Sequence, residues 1–223
     1  MLNLPLFPLQ TVLFPGMPIH LHIFENRYRM MIQRCLQKDL TFGVVLLRQG
    51  HETDISEDTY SIGCTAKIVD IETLKDGRFY LTALGETRFR IHSIDARTPY
   101  LMGNIEEIFT DYNQAHLLNP EINVLRRQIR AYLDLLSTLD GYQYELKEIN
   151  NKNLHLPDEP IFLLHLAASL LQLPSSEKQR LLSINNMFRL NYQIQRIYRR
   201  EISLLKAITY LDREVINKSM SQN

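Results

Sequence analysis

The chain has only two cysteines among its 223 residues, Cys35 and Cys64, far apart and in no metal-ligand spacing. Neither a disulfide framework nor a zinc site is indicated, and a reducing, cytoplasmic setting fits best. Net charge is missing too. Lysine plus arginine equals aspartate plus glutamate, 25 against 25, so no overall field draws the protein to nucleic acid or to an anionic membrane. No window approaches the roughly 18 to 20 uninterrupted apolar residues of a membrane span. The N-terminus lacks a basic stretch followed by an apolar run, which argues against a signal peptide. There is no G-x-x-x-x-G-K-[S/T] loop, and with it the phosphate cradle for ATP is missing. No cofactor, no metal and no membrane association are therefore expected.

What is present is ordinary for a globular protein, with 45% apolar and 22% charged residues in a length that suits one or two domains. The opening, Leu2 to Ile32, stands out. Two Leu-Phe-Pro triplets, Leu6 to Pro8 and Leu13 to Pro15, precede a Pro15-Gly16 turn signal. Proline has no N–H for a ladder, so this apolar stretch is expected at the edge of a sheet. From Met17 to Ile23 the pattern alternates, with Met17, Ile19, Leu21 and Ile23 on one face and His20 and His22 on the other. Glu25 to Gln37 then places Tyr28, Met31, Ile32 and Cys35 at helical spacing.

Strands are expected at Thr41–Leu47, Ile62–Ile71, Phe79–Leu84, Thr87–Ile94 and Tyr100–Phe109. Asp76-Gly77 predicts a hairpin with a type I′ turn, in which both central residues need positive φ. An acidic loop over Glu52 to Asp58 and a polar one over Asp111 to Asn113 are expected to be exposed. After Asn113 the period becomes helical. Asn119-Pro120 reads as a cap and first-turn proline, and Ile122, Leu125, Ile129, Tyr132, Leu136 and Leu139 form one stripe that Gly141 ends. Asp158–Gln172 is apolar nearly all round, as in the central helix of a bundle. Ser176 and Gln179 have capping-box spacing for a short helix to Leu182. A last helix from Asn185 to about Lys218 carries Met187, Leu190, Ile194, Ile197, Glu201, Leu204, Ile208, Leu211 and Val215 in steps of three and four, a heptad seam broken only by Glu201.

Leu4 to Leu9, Val12 to Met17 and Pro18 to Tyr28, followed by Ile62-Gly63-Cys64-Thr65-Ala66 and by Leu84-Gly85-Glu86-Thr87-Arg88-Phe89-Arg90, resemble the Lon N-terminal domain. This is the substrate-binding module that precedes the ATPase in Lon proteases. The helical end, Asp158 to Leu173 and Ser176 to Val215, is similar to that family as well, so the resemblance covers essentially the whole chain. It implies an α+β fold: a PUA-like β pseudo-barrel with one helix over residues 1–113, then a helical bundle over 114–223 ending in a long helix. It also implies binding of apolar segments of unfolded or damaged proteins without chemistry on them, as an adaptor in proteolysis or quality control beside a protease or chaperone ATPase. A free-standing form without ATPase or protease modules is expected. Phe14, Met17, Phe24, Tyr28 and Met31 are the candidate peptide contacts, with core packing as the alternative for each. Strand addition to an exposed sheet edge is the expected mode, and methionine adapts such a surface to varied ligands.

Chemistry is hard to find. Ser175-Ser176-Glu177-Lys178 matches the S-x-x-K pattern of serine acyl-enzymes but reads better as a helix start. His20 and His22 share a strand face without a third ligand nearby, and Glu106-Glu107 with Glu52, Asp54, Glu57 and Asp58 read as solvated edges. No catalytic residue is assigned. Two other readings stay open. One is RNA binding through the basic final helix with Tyr192 and Tyr198, the segment from Arg180 to Arg213 having seven basic residues against two acidic ones, Glu201 and Asp212. The other is an assembly module using Met187, Leu190, Ile194, Ile197, Leu204 and Ile208 as a partner seam.

Overall fold

The structure, a computed structural model, describes residues 2–48, 59–97, 99–109, 115–139 and 155–220, with the backbone alone described at 115, 116, 119 and 211–220. The acidic residues Glu52, Asp54, Glu57 and Asp58, the loop Asp111 to Asn113, Gly141, and the side chains of Leu211 and Val215 lie outside the described residues. Two compact units are formed. Met1–Asp111 joins Ala168–Asn185 in the first, and Tyr112–Ala167 joins Asn186–Asn223 in the second. The segment 168–185, which the sequence groups with the helical bundle, thus belongs with the β unit.

Among the described residues the first unit holds six strands: β1 (Leu2–Leu9), β2 (Pro18–Ile23), β3 (Thr41–Leu46), β4 (Ile62–Thr73), β5 (Phe79–Asp95) and β6 (Leu101–Ile108). Their order is β2-β5-β4-β3-β1-β6, and β5 also pairs with β6. Among the described residues, five strands therefore close into a ring and β2 pairs with the first half of β5 alone. The predicted pseudo-barrel is present. The two separate strands expected over Phe79–Leu84 and Thr87–Ile94 are instead one 17-residue strand. Gly85 does not break it, because its N–H donates to Met17 O at 2.9 Å and its carbonyl accepts from Gly16 N at 2.8 Å.

The opening strand is not at the edge expected of it, since β1 lies between β3 and β6, and its prolines are accommodated half-strand by half-strand instead. Pro5 is opposite Met102 of β6 only, and Pro8 is opposite Val45 of β3 only. Each proline thus has one unladdered side, as its missing N–H requires. At Pro15-Gly16, Met17 N–H donates to Phe14 O at 3.1 Å and Gly16 has φ of 78°, the turn that Pro-Gly favours. The Asp76-Gly77 turn differs from the type I′ expectation. Gly77 N–H donates to Leu74 O, Leu74 N–H to Arg78 O, and Gly77 has φ of 78° while Asp76 has no positive φ. That is the three-residue hairpin, in which a single left-handed glycine matches the strand twist.

Helix α1 (Asn26–Leu36) buries Tyr28, Met31, Ile32 and Cys35, the predicted face. They pack with Phe7, Phe42, Val44, Leu81 and Ala83 on one face of the sheet, while Leu6, Val45, Phe89, Leu101 and Ile105 form a second cluster on the other. Helix α4 (Ser175–Leu182) completes this unit through polar contacts to the strands. The expected capping box is absent. Pro174 occupies the cap position without a side-chain cap, and the Gln179 amide donates to Ile62 O at 2.8 Å.

In the second unit, α2 (Asn119–Leu136) follows a short 3-10 turn (Ala115–Leu118), so Leu118 takes the cap position expected of Asn119. Its stripe of Ile122, Leu125, Ile129, Tyr132 and Leu136 is buried. Most of α3 (Pro160–Leu170) and all of α5 (Met187–Met220) belong here. The Tyr198 ring meets Tyr132 edge-on at 5.3 Å, and its hydroxyl donates to Ala167 O at 2.9 Å.

Candidate functional site

A groove of 1380 Å³ opens within the first unit where several strand ends converge. One wall is the end of β1 with Phe7 to Gln10, and the next is the end of β3 with Leu46 to Arg48 and Tyr60. The end of β2 and the start of α1 supply Leu21 to Glu25, Arg27 and Tyr28, and Pro174 to Ser176 close it from the start of α4. Strand ends bring side chains of alternating direction together, so the lining mixes apolar, aromatic and polar groups.

Its aromatic groups are held by neighbours. Phe7 and Tyr28 rings lie 4.3 Å apart, the Arg27 guanidinium sits 4.6 Å over Tyr28, and Arg48 sits 5.2 Å over Tyr60. Burial raises the Tyr28 hydroxyl above its ordinary pKa, with Arg27 opposing. Arg27 is itself paired with Glu25 at 2.8 Å. His22 stacks on Tyr80 at 4.5 Å, and its ring lies 5.7 Å from Phe24. Phe24, just beyond the end of β2, is 61% exposed.

Of the candidate peptide contacts, only Phe24 and Tyr28 line the groove. Phe14 and Met31 are fully buried, and Met17 is half-buried against the core. Pro174 to Ser176 could not be placed here from the sequence, because local spacing marks them only as a helix start. Nothing in the chain pattern signals that they return to the end of β1, where Ser175 Oγ donates to Gln10 O at 2.7 Å.

That bond also bears on the S-x-x-K pattern. Ser175 is committed to a backbone carbonyl, and Lys178 Nζ donates to Ser169 O at 2.8 Å, its pKa lowered by burial. The two side chains are used to seat α4. His20 Nδ1 lies 3.0 Å from Thr82 Oγ1, and no group of three or more metal-ligating residues occurs among the described residues. Glu106 pairs with His92 at 3.0 Å. On α5, Met187, Leu190 and Ile194 are buried and Ile197 half-buried, whereas Leu204 and Ile208 are 53% and 46% exposed. Tyr198 is buried and offers no ring to a nucleic-acid base, while Tyr192 is exposed. Among the described residues no helix is long and apolar enough to cross a membrane.

Comparison with known proteins decides the family. The ATP-dependent protease La (LON) substrate-binding domain matches residues 3–197. The chain belongs to this family. The Lon protease of Parabacteroides distasonis is 27% identical over 92% of this chain, and Lon protease 2 of Myxococcus xanthus 25% over 95%. The match covers 24% and 25% of those proteins, so the chain spans about a quarter of the length of these relatives. Among solved structures, a Lon N-terminal domain protein from Xanthomonas campestris superposes with a TM-score of 0.63 at 26% identity, covering 87% of this chain and 97% of that one. The N-terminal domain of Mycobacterium avium complex Lon protease gives 0.61 at 16% identity, covering 90% and 98%, and supports the fold alone.

Proposed function

We propose that the groove of the first unit binds extended apolar segments of unfolded or damaged polypeptides and performs no chemistry on them. The observation that carries this reading is the 1380 Å³ groove of sheet ends and aromatic side chains, in a chain whose family is a substrate-binding domain. Pockets that recognise varied polypeptides combine apolar area with backbone hydrogen-bonding groups, and the strand ends supply both. Phe24 is the exposed anchor and Tyr28 the fixed floor. In this reading the module works beside a protease or chaperone ATPase in the cytoplasm, and copurification with the intact chain identifies that partner.

Fluorescence anisotropy of a labelled unfolded polypeptide, titrated with the folded chain, tests the reading. Saturable binding is expected, and Phe24→Ser is expected to raise Kd about fivefold to tenfold, the loss typical of an aromatic anchor. Because the ring is largely in water, the thermal midpoint should not move. Failure of the wild type to saturate removes the proposal.

A further inference from the structure

Among the described residues, one strand of the sheet has a single partner. β2 pairs with β5, and among the described residues no second strand pairs with β2. We propose that this open edge receives the bound segment as an added strand, an inference that rests on the groove reading above and specifies its geometry.

The register states which backbone groups are available. In an antiparallel pair, residues alternate between those that exchange both hydrogen bonds with the partner strand and those that exchange none. Met17 O accepts from Gly85 N–H at 2.9 Å, and Pro18 opposite Leu84 has no N–H to give. Ile19, Leu21 and Ile23 therefore bond to β5, whereas His20 and His22 turn both their N–H and C=O groups toward the open edge. Pro18 adds one more outward carbonyl.

The side chains carry the same message. Met17, Ile19 and Leu21 lie on the core face but are only half-buried, while Ala83, Leu81 and Phe79 on the neighbouring strand are fully buried. Among the described residues none pairs along this edge, and a strand laid there would place alternate side chains beside Ile19 and Leu21. The same strand end leads into the groove, which Leu21 to Phe24 line. Charges at this end of β2 are paired locally, Glu25 with Arg27 at 2.8 Å and Asp76 with Arg78 at 2.7 Å. An uncharged segment with apolar residues at every second position is the occupant that suits these features.

The test uses a fluorescent peptide of nine residues with alternating leucine and serine, and a set of versions each N-methylated at one position. A strand donates its N–H groups toward a given neighbour at every second residue, so N-methylation should weaken binding about tenfold or more at alternate positions of one parity and far less at the others. In the protein, hydrogen exchange at the His20 and His22 amides should slow at saturating peptide. An even dependence on N-methylation, or unchanged exchange at both amides with binding retained, overturns strand addition and leaves the groove reading standing. No binding of the unmethylated peptide while the unfolded polypeptide still binds likewise overturns strand addition alone, and no binding of the unfolded polypeptide overturns both.

Discussion

Arg88 is a cation held out of water with backbone as its partner. Its Nη1 donates to Leu182 O at 2.9 Å, to Ile184 O at 2.8 Å and to Asn185 Oδ1 at 3.3 Å. These carbonyls belong to the C-terminal end of α4, where a helix leaves acceptors unsatisfied and favours positive charge. Arg88→Met removes the donor while keeping much of the apolar stem, and leaves buried carbonyls without it. A loss of about 2–4 kcal/mol is expected in urea unfolding. Arg88→Lys should recover only part of that, since an ammonium lacks the planar fork. A change within about 0.5 kcal/mol for Arg88→Met would show that the contact is incidental. Arg88 sits in one of the motifs that carry the family resemblance, but its role was not legible there. Its partner Leu182 lies 94 residues further on. Gln179 has the same history, with a local capping pattern that concealed a bond to Ile62 across 117 residues. Short-range pattern reports what a residue could do within its own turn, and a buried polar group satisfies itself wherever the fold provides an acceptor.

At the scale of elements, the existence and faces of α1, α2, β2 and β3 were legible because each has a continuous burial pattern of its own period. Boundaries set by distant contacts were not, as the unbroken β5 shows. The last helix illustrates the limit most clearly. Its strict heptad seam predicts Ile197, Leu204 and Ile208 as one line, but the buried line runs Met187, Leu190, Ile194, Tyr198 and Leu205. A straight helix turns once in 3.6 residues, so a 3.5-residue seam drifts off the packed face by ~20° per heptad. By Leu204 the seam has left the packed side. Ile194→Ala should therefore cost about 2–5 kcal/mol, as truncation of a packed isoleucine does. Leu204→Glu should change stability by less than about 0.5 kcal/mol. Chemical denaturation of both variants distinguishes the two lines, and equal costs would restore the heptad. We propose the exposed part of the seam as the place to look for a partner; sedimentation of Leu204→Glu beside the wild type reads that separately from stability.

For the molecule as a whole, two buried thiols can report on both stability and binding. Cys35 and Cys64 are both buried in the sheet-and-helix core of the first unit. Burial pushes the Cys35 thiol up to about 11, against the opposing effect of Arg34, and raises Cys64 further. For an acid with a raised folded pKa, the native state keeps a proton that the unfolded state releases. Stability contributed in this way is intact below the unfolded value near 9 and falls as pH rises above it, until the folded thiol also ionises, near 11 for Cys35. The slope is at most about 1.4 kcal/mol per pH unit per thiol. Unfolding midpoints at pH 8 and pH 10 should therefore separate more for the wild type than for a Cys35→Ala, Cys64→Ala variant, in which other alkaline titrations remain. At pH 8 a thiol reagent should react slowly with the native chain and promptly in denaturant, and prompt reaction of both thiols in the native chain would contradict their burial. The same reaction then reports occupancy. A segment that binds only the folded groove, present at ten times its Kd, lowers the open fraction about elevenfold. Thiol labelling should slow by that factor where the core opens by unfolding, and an unchanged rate at saturating segment would mean that binding and core opening are independent.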